Sequence, residues 1–137
     1  MLAQYLWIAG SFPFIILGGL HLLYTFTTNK FNSRNNKVTE EMKTSHPVLT
    51  KETTMWKAWM GFNASHSSGA IYIGIINLVA GINYFSLVRQ PLFLLLNIIT
   101  VLFYLWLGRK YWFRIPFTGI LISCVCFVAA AALIIFG

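Results

Sequence analysis

The sequence predicts an all-α integral membrane protein whose four helices cross the bilayer as a bundle, with the N and C termini outside. The first observation is composition: 58% of the 137 residues are hydrophobic and 9% are charged, against about 25% charged residues in soluble domains. The second is that four apolar stretches approach the roughly 20 helical residues that cover the hydrocarbon core. Because backbone groups must be paired inside lipid, these stretches are expected to be helices. A chain of this length predicts a single domain.

The four predicted spans are separated by short turns except after the first. They cover about residues 4–26, 58–85, 91–108 and 116–136, with a polar loop at about 27–57. Pro91 and Pro116 suit the first turn of a helix. In the loop, a short helix is expected over about residues 37–43. Thr50 is expected to cap a second helix that begins at Lys51 and continues into the second span.

The basic residues predict the orientation of the chain. The loops after the first and third spans carry nine of the ten basic residues, which are Lys30, Arg34, Lys37, Lys43, Lys51, Lys57, Arg109, Lys110 and Arg114. Arg89 alone lies on the other side. By the positive-inside rule, the side of the membrane with nine basic residues is cytoplasmic. We therefore expect a multi-pass protein of the cell membrane, specifically a bacterial inner membrane. Almost all of the net charge of +7 lies in these loops, so it is not interpreted as nucleic-acid binding.

The second span carries a stripe of small and polar residues with a seven-residue repeat, here called the seam. The seam consists of Met60, Asn63, Ser67, Ala70, Gly74, Asn77 and Gly81. In membranes such a stripe favours close helix packing with hydrogen bonds across the contact. The predicted helix-packing residues are Gly18, Ser67, Ala70, Gly74, Asn77, Gly81, Asn97 and Ser123.

Two histidines fall inside the predicted spans at similar depths. His21 lies roughly 10 Å and His66 roughly 10–15 Å from the cytoplasmic ends of their helices, at 1.5 Å per residue. Ionisable residues within a membrane are functional candidates. The predicted ligand-binding set comprises polar contacts from His21, Asn63, Ser65 and His66, with apolar walls from Trp59, Phe62 and Tyr104. A purely structural histidine pair, satisfied by Asn63 and serine hydroxyls, remains the alternative.

The start of the second span also carries a short motif. The segment reads Trp56-Lys57-Ala58-Trp59-Met60-Gly61-Phe62-Asn63-Ala64-Ser65-His66-Ser67-Ser68-Gly69. This segment resembles a small group of uncharacterised bacterial four-helix membrane proteins, which carry a tryptophan followed by Gly-Phe-Asn-x-Ser-His-x-x-Gly. The resemblance implies no particular activity, but it draws attention to Asn63, Ser65 and His66.

Several functions remain open at this point. The first is binding of a small lipophilic ligand or a membrane lipid near the cytoplasmic side. The second is an accessory or assembly subunit of a larger membrane complex, or a homo-oligomer. The third is a haem b protein with two axial histidines. Whether the chain is an enzyme is left undecided: no catalytic residues and no three-ligand metal site are visible, and the cofactor is unknown.

Overall fold

The computed structural model describes all 137 residues and contains helices without any strand. The helices are α1 Leu2–Thr27, α2 Asn36–Thr44, α3 Met55–Asn83, α4 Phe85–Val88, α5 Pro91–Tyr111 and α6 Arg114–Phe136. Four of them, α1, α3, α5 and α6, are long and apolar enough to cross a membrane. The predicted fold class is therefore confirmed for its helical content and its four spans. The placement of the termini outside stays a prediction.

The start of α3 differs from its prediction. The helix begins at Met55, and the expected start at Lys51 is wrong. The Thr50 hydroxyl accepts from the Glu52 N–H at 3.1 Å, which forms a local turn. The Thr54 hydroxyl instead accepts from the Lys57 N–H at 3.3 Å, so Thr54 supplies the cap. Both threonines are chemically suited to capping, and the chain uses the second.

The short helix α2 forms within the polar loop where the sequence predicts one. Its N-cap is Asn35, whose side-chain oxygen accepts from the Lys37 N–H at 3.1 Å. Lys43 near its end pairs with Glu40 at 2.8 Å, and the Lys43 ammonium lies 5.9 Å from the centre of the Trp56 ring. The contact between Lys43 and Trp56 links α2 to the first turn of α3.

The segment between α2 and α3 closes on itself. The Met55 N–H donates to the Ser45 carbonyl at 2.9 Å. His46 Nδ1 donates to the Thr53 carbonyl at 2.7 Å, because a carbonyl oxygen can only accept. His46 therefore has a structural role that its sequence context beside Pro47 did not indicate.

The chain forms two compact units. One comprises residues 1–17 and 70–137, and the other comprises residues 18–69. In the first unit the indole of Trp7 lies 4.7 Å from the Phe127 ring and 6.3 Å from the Phe93 ring, measured between ring centres. The Phe14 ring lies 5.4 Å from Tyr104. These aromatic contacts form the core of that unit.

The outward faces of the long helices are apolar. Large hydrophobic side chains such as Ile16, Tyr72, Leu95, Val125 and Ile135 are exposed on α1, α3, α5 and α6. Soluble monomers rarely expose continuous apolar surface of this extent. The four spans therefore have the surface expected of helices in contact with lipid.

Candidate functional site

The unit of residues 18–69 brings two of the predicted polar residues into direct hydrogen-bond contact. His21 Nε2 and Asn63 Oδ1 lie 2.9 Å apart, which joins α1 to α3. Asn63 Nδ2 donates to the Trp59 carbonyl at 2.8 Å. The carboxamide is thus held at both ends, by its own helix and by the imidazole.

The third member of the site is His66. Its ring meets the His21 ring edge to face, with ring centres 5.7 Å apart and planes at 74°. Aromatic pairs in direct contact have this separation and angle. His21, Asn63 and His66 are hereafter called the histidine cluster. The sequence predicts that the two histidines lie at similar depths, and in the structure their rings are in contact.

Phe31 also contacts His21, and the sequence did not single it out. The Phe31 and His21 rings are stacked, with centres 4.3 Å apart and planes at 27°. Phe31 is the one aromatic residue in the otherwise polar segment between α1 and α2, at residues 28–35. That contrast with its neighbours is the only signal for Phe31 in the sequence.

The hydrogen bonds fix the chemistry of His21. Since the Asn63 amide nitrogen donates to a carbonyl, Asn63 presents its oxygen to the imidazole. The Nε2 of His21 must therefore carry the hydrogen, and in the neutral ring Nδ1 is then an acceptor. The cluster accordingly offers an acceptor nitrogen whose orientation is set by a hydrogen bond and a ring stack.

The serine hydroxyls of the motif donate hydrogen bonds within their own helix. Ser65 donates to the Phe62 carbonyl at 3.1 Å, Ser67 to the Asn63 carbonyl at 2.6 Å, and Ser68 to the Ala64 carbonyl at 2.9 Å. Each hydroxyl bonds to the preceding turn of its own helix, as serines in helices commonly do. Ser65, predicted as a ligand contact, is exposed.

The three residues predicted as apolar walls lie in different settings. Trp59 is 40% exposed and Phe62 is 74% exposed, so both present aromatic surface outward from α3. Tyr104 belongs to the other compact unit, where its ring contacts Phe14 at 5.4 Å and Trp112 at 6.1 Å. Trp59 and Phe62 belong to the same unit as the histidine cluster.

The predicted helix-packing residues occupy buried or partly buried positions. Gly18, Ser67, Ala70, Gly74, Asn77, Gly81 and Ser123 are buried, and Asn97 is partly buried. At Gly74 an added Cβ would lie 2.5 Å from Ile15 Cγ1 and 2.9 Å from the Ile15 backbone nitrogen. At Gly81 it would lie 2.9 Å from Ile8 Cγ1. Only glycine permits α1 and α3 to approach this closely at these two points.

The histidine cluster does not fit a haem held by two histidines. Such a haem places the iron and the macrocycle between its two axial ligands. Here the two rings touch with centres 5.7 Å apart at 74°, and His21 Nε2 bonds to Asn63. No group of three or more histidine, cysteine or acidic side chains is arranged to hold a metal ion.

The unit of residues 1–17 and 70–137 carries a shallow apolar groove that the sequence did not indicate. Its volume is about 470 Å³, and its lining residues are Pro13, Ile16, Leu17, Arg114, Ile115, Thr118, Gly119 and Ile122. An added Cβ at Gly119 would collide with Leu17 Cδ1. A larger residue at this position would therefore require the Leu17 side chain to shift.

Comparison with known proteins gives no match. No protein-family model matches the chain, no curated protein is detectably similar in sequence, and no solved structure is detectably similar in fold. The resemblance of the Gly-Phe-Asn-x-Ser-His-x-x-Gly segment to uncharacterised bacterial four-helix membrane proteins stays a prediction.

Proposed function

We propose that this chain is a multi-pass protein of the bacterial inner membrane that binds a small lipophilic ligand or lipid through the histidine cluster. The observation that carries the proposal is the 2.9 Å hydrogen bond between His21 and Asn63. It gives an oriented imidazole, in ring contact with His66, on two helices that are long and apolar enough to cross a membrane. A ligand site of this kind is mostly apolar with a few placed polar groups.

The orientation of His21 suggests which polar group the ligand carries. With its Nε2 hydrogen committed to Asn63, the neutral ring accepts at Nδ1. A hydroxyl or another hydrogen-bond donor on the ligand matches this acceptor. Lipophilic alcohols and lipids with a free hydroxyl have that chemistry, which favours them over ligands whose polar end only accepts.

The aromatic side chains near the cluster supply apolar contact surface. Trp59 and Phe62 are exposed on α3, and Asn63 is bonded to the carbonyl of Trp59. A ligand whose head reaches the cluster from the lipid would lay its apolar part along these rings. The aromatic side chains would thus contact the hydrophobic part of the ligand, and the histidines would contact its polar part.

Native mass spectrometry of gently extracted protein tests the proposal. The wild-type chain would be compared with His21→Ala and His66→Ala, and with Ser68→Ala as a matched control. Ser68 is exposed on the same helix and donates only to the Ala64 carbonyl. Circular dichroism would first establish that each variant keeps its helical content.

The proposal expects extra mass on the wild type and on Ser68→Ala, and its loss from both histidine variants. The value of that mass would identify the ligand class. Bare wild-type protein, or equal extra mass on all four proteins, would contradict binding at the histidine cluster.

A further inference from the structure

A second set of polar side chains is buried in the unit of residues 1–17 and 70–137, outside the histidine cluster. Ser11, Asn77 and Ser123 are each 0% exposed. Ser11 donates to the Trp7 carbonyl at 3.0 Å, and Asn77 Nδ2 donates to the Ile73 carbonyl at 2.9 Å. The Oδ1 of Asn77 and the Oγ of Ser123 have no hydrogen-bond partner among the protein atoms. Buried polar atoms in that state are unusual in folded proteins and call for an explanation.

The contacts of the two glycines that flank Asn77 on α3 show which part of α1 lies beside Asn77. At Gly74 an added Cβ would lie 3.0 Å from the Phe14 Cβ, and at Gly81 it would lie 3.3 Å from the Trp7 Cδ1. Asn77 is one helical turn from each glycine on the same face. It is therefore level with the turn of α1 between Trp7 and Phe14, where Ser11 lies.

The contacts that flank Ser123 on α6 give the same level. An added Cβ at Gly119 would lie 3.8 Å from Pro13 Cβ, and one at Gly10 would lie 3.1 Å from the Phe127 ring. Ser123 lies one turn from both Gly119 and Phe127. It is therefore level with residues 10–13 of α1, which again include Ser11.

Contacts on either side of Asn97 place it in the same way on α5. Phe93 contacts Trp7 at 6.3 Å and Tyr104 contacts Phe14 at 5.4 Å between ring centres. Asn97 lies between these two contacts and is partly buried. All four long helices thus place one polar residue at a shared level, and we call this set the polar layer: Ser11, Asn77, Asn97 and Ser123. Aromatic contacts lie on both sides of it.

We infer that the polar layer holds an ordered water molecule between Asn77 Oδ1 and Ser123 Oγ. A water donates to the amide oxygen, which can only accept, and exchanges a second hydrogen bond with the serine hydroxyl, which can donate or accept. Buried waters typically make about three hydrogen bonds to polar groups that otherwise lack partners. Trp7 Nε1, which is also buried without a partner, adds a donor near the Gly81 end of this region.

Solid-state NMR of the labelled wild-type protein in lipid bilayers tests this inference directly. Magnetisation transferred from water would be measured at the Asn77 side-chain amide and the Ser123 β-protons. Ile120 serves as the dry control, because it is 3% exposed and lies one turn from Ser123 on α6. If the water is present, magnetisation transfer from water to Asn77 and Ser123 should be well above that to Ile120.

A double-mutant cycle on unfolding supplies the second measurement. Asn77→Leu, Ser123→Ala and the double variant would be compared with the wild type. Residues that share one water are expected to show non-additive effects, with a coupling of about threefold or more in the unfolding equilibrium constant.

Each outcome of the two measurements bears on the inference. Water transfer together with coupling supports the shared water. Coupling between the two substitutions without water transfer indicates a direct Asn77–Ser123 hydrogen bond and contradicts the shared water. Water transfer at both residues with additive effects of the two substitutions means that they do not share one water. Absence of transfer above the Ile120 level overturns it even if the variants fail to fold, since that measurement uses the wild-type chain.

Discussion

The imidazole of His21 donates its Nε2 hydrogen to Oδ1 of Asn63 at 2.9 Å, across a sequence separation of 42 residues. The carboxamide that accepts it donates in turn to the Trp59 carbonyl at 2.8 Å. Hydrogen bonds between membrane helices contribute about 0.6 kcal/mol on average and up to about 2 kcal/mol. This bond therefore has two effects, since it ties α1 to α3 and it sets the acceptor nitrogen of the proposed site.

Replacement of Asn63 by leucine is expected to destabilise the protein. The change leaves the His21 N–H without its acceptor in a largely apolar setting, which costs about 1–3 kcal/mol. Thermal unfolding in detergent, followed by circular dichroism, measures the effect. Asn83→Leu is a suitable control because Asn83 is exposed at the last residue of α3. Equal melting temperatures for the two variants would contradict a stabilising role for the bond.

A second prediction concerns the close approach of α1 and α3 at Gly74. An alanine there would place its Cβ 2.5 Å from Ile15 Cγ1 and 2.9 Å from the Ile15 backbone nitrogen. Because backbone cannot move aside cheaply, Gly74→Ala is expected to lower the free energy of unfolding by about 1–3 kcal/mol.

Gly61 on the same helix is the matched control for Gly74, because nothing lies within 4 Å of its added Cβ. Gly61→Ala is expected to be neutral or to stabilise by up to about 1 kcal/mol through helix propensity. Chemical unfolding in mixed micelles compares the two directly. A Gly74→Ala protein as stable as Gly61→Ala would show that the two helices do not pack this closely.

The four spans were predictable because bilayer thickness fixes the length of an apolar helix. The buried part of the seam was also predictable, since Ala70, Gly74, Asn77 and Gly81 repeat with the period of one helical face. The start of α3 was not, because Thr50 and Thr54 are equally suited to capping. The choice between them follows from the hydrogen bond from Met55 to Ser45, which joins residues too far apart for local rules to foresee.

The histidine cluster was only partly predictable. Counting residues from the helix ends puts His21 and His66 at one depth, and their rings do meet. It does not give the rotation of neighbouring side chains: Phe62 is adjacent to Asn63 but turned outward, 74% exposed. Nor does it predict the stack of Phe31 on His21, because the path of an irregular segment depends on tertiary contacts.

The predicted orientation in the membrane can be tested by thiol labelling. In a background with Cys124→Ala and Cys126→Ala, single cysteines would be placed at Ser45 in the first loop and at Ser86 beside Arg89. Both serines are exposed. Because nine of the ten basic residues lie on the side of Ser45, the positive-inside rule makes that side cytoplasmic.

A membrane-impermeant maleimide is therefore expected to label the Ser86→Cys protein in intact cells. The Ser45→Cys protein should react only after the membrane is permeabilised. The reverse pattern would place the termini in the cytoplasm and would move the histidine cluster to the outer half of the membrane.

The last prediction concerns the closed segment between α2 and α3. His46 Nδ1 donates to the Thr53 carbonyl at 2.7 Å, and His46→Ala removes that donor. Loss of a typical hydrogen bond costs about 0.5–1.5 kcal/mol, so the opened form should become about two- to tenfold more populated. The rate of tryptic cleavage after Lys51, which lies inside the closed segment, reports on that population.

Cleavage after Lys37 in α2 provides the internal reference. The side-chain hydrogen bond of His46 goes to the Thr53 carbonyl and not to α2, so the reference site should respond little. His46→Asn is the matched variant, since its side-chain amide can donate to the same carbonyl. We expect faster cleavage after Lys51 in His46→Ala and a rate near wild type in His46→Asn. Equal rates in all three proteins would mean that the hydrogen bond from Met55 to Ser45 closes the segment without help from the imidazole.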